Sequence, residues 1–394
     1  MDQRVKAEAG STLKPIPLHA DRGISLDRGE GVYLWDTQGH RYLDMMTNYG
    51  VNILGHAHPQ VNAAVKAQLE RLTNAHQSFD VPARREFLEA LASVMPPSLS
   101  AISFANSGAE AVEAALKYAR VASGRPGVIA THRAYHGRTF GALAATAEAK
   151  YRDPFSPMLE GFRHIPFDDL DALDAVLDER VGAVILEPIQ GEAGVRIPSP
   201  GYLRGVRERC DAHDALLILD EVQTGFRTGA PLAFTAGGIL PDILCLSKSI
   251  ANGLPLGVTV TTPRVAERIP RGSHGSTFAG APLVCAAGTA TLRVLAEPAI
   301  HQHAKEMGER FLKRVADRRL PEVREVRGRG LMLAVELKRP ATPVIKAMQQ
   351  RGVLTLPAGP TTIRFLPSVL VQAEQIDQAI GALAEAVAEV GSTV

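Results

Sequence analysis

The chain has 394 residues, 45% of them apolar and 22% charged, with a formal net charge of +1. That length corresponds to roughly two to three domains, and that composition excludes a disordered or collagen-like chain. The balanced charge argues against a general nucleic-acid binder, and no run of about 18 apolar residues offers a membrane span.

The opening residues, MDQRVKAEAGSTLKPIPLH, lack the apolar core of a secretion signal. Cys210, Cys245 and Cys285 lie far apart and are odd in number, so a cytoplasmic chain without a disulfide framework is expected. The 43 basic residues divide into 33 Arg and 10 Lys. Between residues 118 and 304 only Lys150 and Lys248 occur, so a lysine there invites a reason.

Residues 24–46 alternate apolar and polar positions around the turn signals GEG and TQGH, which predicts a short meander. Residues 60–75 place Val61, Ala64, Val65, Leu69 and Leu72 at helical spacing. From about 100 to 260, short apolar runs alternate with helical segments. The runs are 101–105, 127–130, 182–188, 215–221, 242–247 and 257–260, and the helices include 109–121, 168–179 and 200–213. Runs that are apolar throughout predict strands buried on both faces, and the alternation predicts a parallel α/β sheet. The last hundred residues read as a smaller α+β domain. It has a helix over 283–317, two strands in REVRGRGLMLAVEL, another in TIRFLPSVL, and an amphipathic closing helix. The basic run from Arg314 to Arg329 is broken by Asp317, Glu322 and Glu325 and reads as a solvated face.

Ligands of open parallel sheets bind at the carboxyl ends of the strands, so the residue after each run matters. After 101–105 comes Asn106-Ser107-Gly108-Ala109 and then a helix. Such a joint can cradle a phosphate through free N–H groups and the positive helix end, or it is a plain helix cap. After the next runs come Glu187 and then Asp220-Glu221. Each carboxylate is either held by backbone N–H groups or partners a cation or a protonated ring nitrogen. After 242–247 comes Lys248. Desolvation there would lower its pKa and expose a neutral amine able to condense with an aldehyde; the alternative is a lysine reaching the surface or paired to a carboxylate. An anion cradle, a buried carboxylate and a desolvated lysine on one sheet are what pyridoxal phosphate requires. Tyr135, after the run 127–130, could stack on its ring. The pairs His56/His58, His132/His136 and His301/His303 have metal-like spacing without further ligands and read as structural or surface residues. Arg196, Arg227 and Trp35 read as packing or surface residues.

Several ordered motifs resemble the class III (ω-amino-acid) pyridoxal-phosphate aminotransferases. They include NYGVNILGHAHP (48–59), NSGAEAVEAALKYAR (106–120), YHGRT (135–139), EPIQGEAGV (187–195), LDEVQTGFRTG (219–229), LSKS (246–249), HGSTFAGAP (274–282), RGRGLM (327–332) and IRFLPSVL (363–370). The resemblance implies a fold-type I transferase: a large domain with a mostly parallel seven-stranded sheet (56–285), a smaller α+β domain (286–394), and an N-terminal segment (1–55) packing with the latter. It implies that Lys248 carries the cofactor, Asp220 partners its ring nitrogen, and Gln223 its ring hydroxyl. Val222 and Tyr135 would cover the ring faces, with His136 beside them. Ser107, Gly108 and Ala109 would hold the phosphate, and Thr277 would reach the phosphate of the neighbouring subunit in a homodimer with shared sites.

Within that family the chain is most similar to acetylornithine aminotransferases, including the branch acting on lysine or ornithine precursors attached to an amino-group carrier protein. There Arg364 would bind the α-carboxylate of glutamate or 2-oxoglutarate, Arg138 a more distant carboxylate, and Glu192 would act as a gate pairing with Arg364. Ornithine or 4-aminobutyrate aminotransferase and a related aminomutase are the alternatives. Departures from the family pattern are the shortened turn GFRTG, IANG after the lysine, and FAGAP; none removes an expected catalytic group.

Overall fold

A computed structural model describes residues 13–392. The expected meander is present as β1 (Leu26–Glu30), β2 (Tyr33–Asp36) and β3 (Arg41–Asp44), paired antiparallel. Trp35 packs under the Arg28 guanidinium, 3.8 Å from its ring centroid.

The runs after residue 100 form one sheet. Its strands are β4 (Ala101–Ala105), β5 (Gly127–Thr131), β6 (Phe162–Ile165), β7 (Val181–Leu186), β8 (Leu216–Asp220), β9 (Ile243–Leu246) and β10 (Gly257–Thr261). The spatial order is β4-β10-β9-β8-β7-β5-β6. Strands β6, β5, β7, β8 and β9 run parallel, whereas β10 is antiparallel to both neighbours. Parallel neighbours need a crossover of about a dozen residues or more, and residues 247–256 are too few, so the chain turns straight back after β9. Strands β5, β7, β8 and β9 are buried along their whole length, which is why they read as unbroken apolar runs. The edge strand β6 carries Arg163 and His164 and had no such signal.

Helices Pro59–Leu69, Gly108–Ser123 and Tyr202–Ala212 stand close to their expected places. That expected over 168–179 shrinks to Leu170–Asp174, capped where Asp169 accepts from the Ala172 N–H. The single helix expected over 283–317 is two, Pro282–Leu295 and Pro298–Asp317, bent by 70° at the break. Pro298 has no N–H to continue the first helix and suits the first turn of the second.

In the C-terminal part, β11 (Val323–Arg329) and β12 (Met332–Leu337) form a hairpin whose turn holds Gly330 at φ 53°. A Cβ there would lie 2.4 Å from the Arg227 carbonyl oxygen. Strand β13 (Val353–Leu354) pairs in parallel with β3, and β14 (Leu356–Pro357) and β15 (Thr362–Phe365) extend the hairpin sheet. The basic run is only partly a solvated face: Arg314 meets Asp377 near the surface, but Arg327 is buried on Glu336. Arg227 is fully buried, donating from Nη2 to the Gly50 carbonyl oxygen at 2.6 Å, so it is a packing residue.

Glu221, directly after β8, fixes the loop that follows. It is fully buried and accepts from the N–H groups of Ala233 and Phe234 and from the Thr224 hydroxyl. Burial pushes its carboxyl from an ordinary 4.5 up to about 7, against those hydrogen bonds. A carboxyl whose folded pKa is raised contributes stability that is present below its unfolded pKa and lost as pH rises through the folded one. Glu221→Gln is therefore expected to flatten the fall in thermal midpoint between about pH 5 and pH 8, whatever it does to the midpoint itself; scans across that range check the slope.

Candidate active site

The carboxyl ends of β4, β5, β7, β8 and β9 bring the sequence-predicted residues to one place. Gly108, Ala109, Tyr135, His136, Arg138, Glu192, Asp220, Val222, Gln223 and Lys248 line a single cavity of about 200 Å³. Arg364, on β15, reaches it through Gln223 and Glu192. Ser107 stands immediately behind it as a helix cap. Thr277 does not line the cavity and is exposed, although its neighbour Ser276 accepts a 2.9 Å hydrogen bond from the Asn106 side-chain amide.

The helix Gly108–Ser123 starts here because Ser107 has extended backbone and its hydroxyl accepts from the Glu110 N–H at 3.2 Å. The first turn is Gly-Ala, so its N–H groups face the cavity with little side chain in front. A Cβ on Gly108 would lie 2.6 Å from Val222 Cγ1. Glycine therefore lets the helix end and Val222 close on the same space.

Asp220 is buried at the end of β8. Its Oδ2 lies 2.8 Å from His136 Nδ1, and its Oδ1 accepts from the Val222 N–H at 3.0 Å. The other ring nitrogen of His136, Nε2, is buried without a partner. Glu187 belongs to the backbone-held class: it accepts from the N–H groups of Tyr135 and Gly191, both at 3.0 Å. One carboxylate thus joins the loop carrying Tyr135 to the loop carrying Glu192. Burial lifts the Glu187 carboxyl to about 7.

Lys248 follows β9 with φ 43°, a left-handed conformation that costs a non-glycine residue of order 1 kcal/mol. Burial depresses its ammonium below the ordinary value, against the pull of Glu192. The loop behind it is pinned by Asn252, whose side chain accepts from the Leu54 N–H at 2.8 Å and donates to the Gly55 carbonyl at 3.0 Å. Asn252 thereby makes two contacts and still takes a left-handed turn, at φ 41°. In the shortened turn after Gln223, Phe226 occupies φ 65° and is fully buried.

Arg364 is fully buried. Its Nη1 donates to Glu192 Oε1 at 2.7 Å and to Gln223 Oε1 at 2.8 Å, while Nε and Nη2 are without partners. Burial raises the Glu192 carboxyl, but the Arg364 charge outweighs it and holds the group below its ordinary value. Arg138 is exposed, and its Nε donates to the Tyr135 phenol at 3.2 Å. Tyr135 and Glu192 also line an outer cleft of about 790 Å³, so the cavity opens through them. Of the histidine pairs, His56 meets Asp44, His132 stacks on His164, and His301 and His303 bond to backbone carbonyls, whereas His136 belongs to the cavity on Asp220. Among the described residues no group of three or more His, Cys, Asp or Glu could hold a metal. Tyr151 and Asn252 took no part in the sequence-based reading of the site, and only their contacts reveal them; of the two roles open to Glu187, its contacts select the backbone-held one.

These residues fit pyridoxal phosphate. The glycine-opened helix end suits its phosphate, the buried Asp220 its ring nitrogen, and the deprotonation-prone Lys248 its aldehyde.

The class-III aminotransferase family model matches residues 19–387. The [LysW]-aminoadipate semialdehyde/glutamate semialdehyde transaminase of Sulfolobus acidocaldarius is 40% identical, covering 95% of this chain and 97% of its own. The acetylornithine aminotransferase of Methanosarcina acetivorans is 42% identical, covering 92% of this chain and 91% of its own. The crystal structure of ornithine aminotransferase from Toxoplasma gondii matches with a TM-score of 0.91 at 33% identity, over 96% of this chain and 93% of that one. Sequence likeness over almost the whole length and a backbone match of this quality, around a cavity that meets each demand of the cofactor, place the chain among the class-III aminotransferases, enzymes dependent on pyridoxal phosphate.

Proposed function

We propose that this aminotransferase moves the terminal amine of N-acetylornithine, or of a lysine or ornithine precursor held on an amino-group carrier protein, to 2-oxoglutarate. That places it in arginine or lysine biosynthesis, in the cytoplasm, as a homodimer with shared sites. The carrying observation is the Arg364–Glu192 pair: a fully buried guanidinium with two unpartnered nitrogens, neutralised by a carboxylate at the mouth of the cavity.

A donor that reacts through a terminal amine has no carboxylate on its reacting carbon. Arg364 then needs a resident counter-charge, because an unpaired buried charge costs several kcal/mol by the general rule for broken buried pairs, about 3–5. Glu192 supplies it. Glutamate and 2-oxoglutarate bring their own α-carboxylate, which a guanidinium fork binds in bidentate fashion. Arg138 takes the distant carboxylate in either case. Relatives named for acetylornithine and for carrier-linked substrates support this choice of donor.

The bound cofactor supplies an aldehyde to receive the amine and a ring that withdraws electrons from the adjacent C–H bond. Lys248 would hold it, and Lys248 Nζ would take the proton from the amine-bearing carbon and return it as general base and acid. Asp220, oriented by His136 and the Val222 N–H, keeps the ring nitrogen protonated. Ser107, Gly108 and Ala109 bind the phosphate, with Thr277 of the second subunit completing that site. Val222 and Tyr135 exclude water from the two ring faces, and Gln223 donates toward the ring hydroxyl. Exchange of amine between two substrates at one site gives ping-pong kinetics.

Turnover of N-acetylornithine, ornithine and 4-aminobutyrate with 2-oxoglutarate tests the donor directly. N-acetylornithine is expected to exceed 4-aminobutyrate in kcat/KM by at least about tenfold; the reverse order overturns the assignment. Glu192→Gln leaves Arg364 uncompensated with a terminal-amine donor and uncontested with glutamate. The ratio of kcat/KM for N-acetylornithine to that for glutamate should fall by about tenfold or more, a difference of about 1.4 kcal/mol. Gly108→Ala forces Val222 away from the helix end, an overpacking of about 1–3 kcal/mol. Fluorescence titration of the apo-protein should show cofactor affinity reduced about tenfold or more.

A further inference from the structure

We propose that Tyr151 is a positioning residue that holds the Arg138 guanidinium ready for the distant carboxylate of the substrate. The inference rests on the role given to Arg138 above. Tyr151 sits on the short helix Ala149–Arg152, at the wall of the outer cleft. The Arg138 guanidinium carbon lies 4.0 Å from the centroid of its ring, against 5.7 Å from that of Tyr135. Tyr151 is in turn fixed edge-on against Tyr135, with ring centroids 5.8 Å apart and planes at 79°. Tyr135 is itself anchored by its N–H on Glu187.

These contacts define one geometry for a long side chain. Stacking on Tyr151 sets the plane of the guanidinium, and the Nε bond to the Tyr135 phenol sets its rotation within that plane. Among the described residues no ion pair or hydrogen bond engages its two Nη groups, so the fork is left for a carboxylate. Arg138 is exposed, so without the ring its side chain would sample many rotamers, and ordering it would weaken substrate binding. Lys150 Nζ lies 4.7 Å from the same ring centroid, a second cation on Tyr151 with no bond to Tyr135.

The test is steady-state kinetics of Tyr151→Leu and Tyr151→Met, which keep bulk and remove the π face, beside Tyr151→Phe, which keeps it. KM is read for N-acetylornithine and, independently, for 2-oxoglutarate. The aliphatic variants are expected to raise both roughly three- to tenfold with kcat within about twofold, and Tyr151→Phe to restore both. In an Arg138→Ala background the aliphatic variants should add nothing. An unchanged KM in both aliphatic variants, or a rise that persists in the Arg138→Ala background, overturns the proposal. So does a rise of equal size in Lys150→Met, which would assign the effect to the lysine. Rejection of N-acetylornithine would refute the donor assignment while the 2-oxoglutarate arm still decides the role of Tyr151. No change in KM on Arg138→Ala alone would remove the role of Arg138 and this inference with it.

Discussion

The site depends on a lysine at the end of a buried strand, where burial disfavours its charged form. Lys248 must lose hydration to expose a nucleophile, and the fold achieves this by reversing the chain immediately after β9. That reversal makes β10 the one strand of the large sheet that runs against both neighbours, and it forces Lys248 into a left-handed conformation. A strained lysine persists only where its surroundings over-determine it. Here Asn252 does so, by tying the loop to the backbone of Leu54 and Gly55. The N-terminal segment is thus part of what holds the reactive amine.

Around that amine, three carboxylates in one small space have been given different environments. Asp220 is paired to His136 and a backbone N–H. Glu187 meets only backbone N–H groups, and burial lifts it to about 7. Glu192 is held low by Arg364. A carboxylate beside a guanidinium stays charged, and one beside neutral donors is free to take a proton. Glu192 is therefore suited to face a cation, whereas Glu187 holds two loops together. The residue after each strand was sound as a search rule but blind to this division, because Glu187 and Asp220 look alike in sequence: both follow an apolar run.

What was legible followed from burial. Strands covered on both faces admit only apolar residues, so β5, β7, β8 and β9 announced themselves, and the polar residues at their ends stood out. The edge strand β6 has one side unpaired and only half-buried residues before Ile165, tolerates Arg163 and His164, and was invisible. Helix propensity carried the prediction over 283–317 across Pro298, where the missing N–H bends the chain. Arg364 was picked out only through the family resemblance, on the motif IRFLPSVL. Tyr151 could not, since nothing in the segment AEAKYRDP places its ring beneath a guanidinium from another loop. Long-range contacts of exposed side chains leave no periodic trace.

The gate proposed for Glu192 also has a mechanical basis. Residues 190–196 close on themselves through paired backbone bonds between Gln190 and Arg196. Gly194 takes φ 96°, and a Cβ on it would meet Arg327 Nη2 at 3.0 Å. Arg327 Nε donates to the Gly194 carbonyl at 2.8 Å, and its Nη1 pairs with Glu336, which also binds Arg196. The loop is therefore clamped to the C-terminal sheet just after Glu192, at Gly194 and Arg196. Arg364 comes from that same sheet, on β15 beside β12. Loop and guanidinium are parts of one framework, so exchange of Glu192 for a substrate carboxylate requires rotation of a single side chain rather than movement of the backbone. The partner switch proposed for the two classes of substrate then asks for no movement of the backbone beside the chemistry proposed for Lys248.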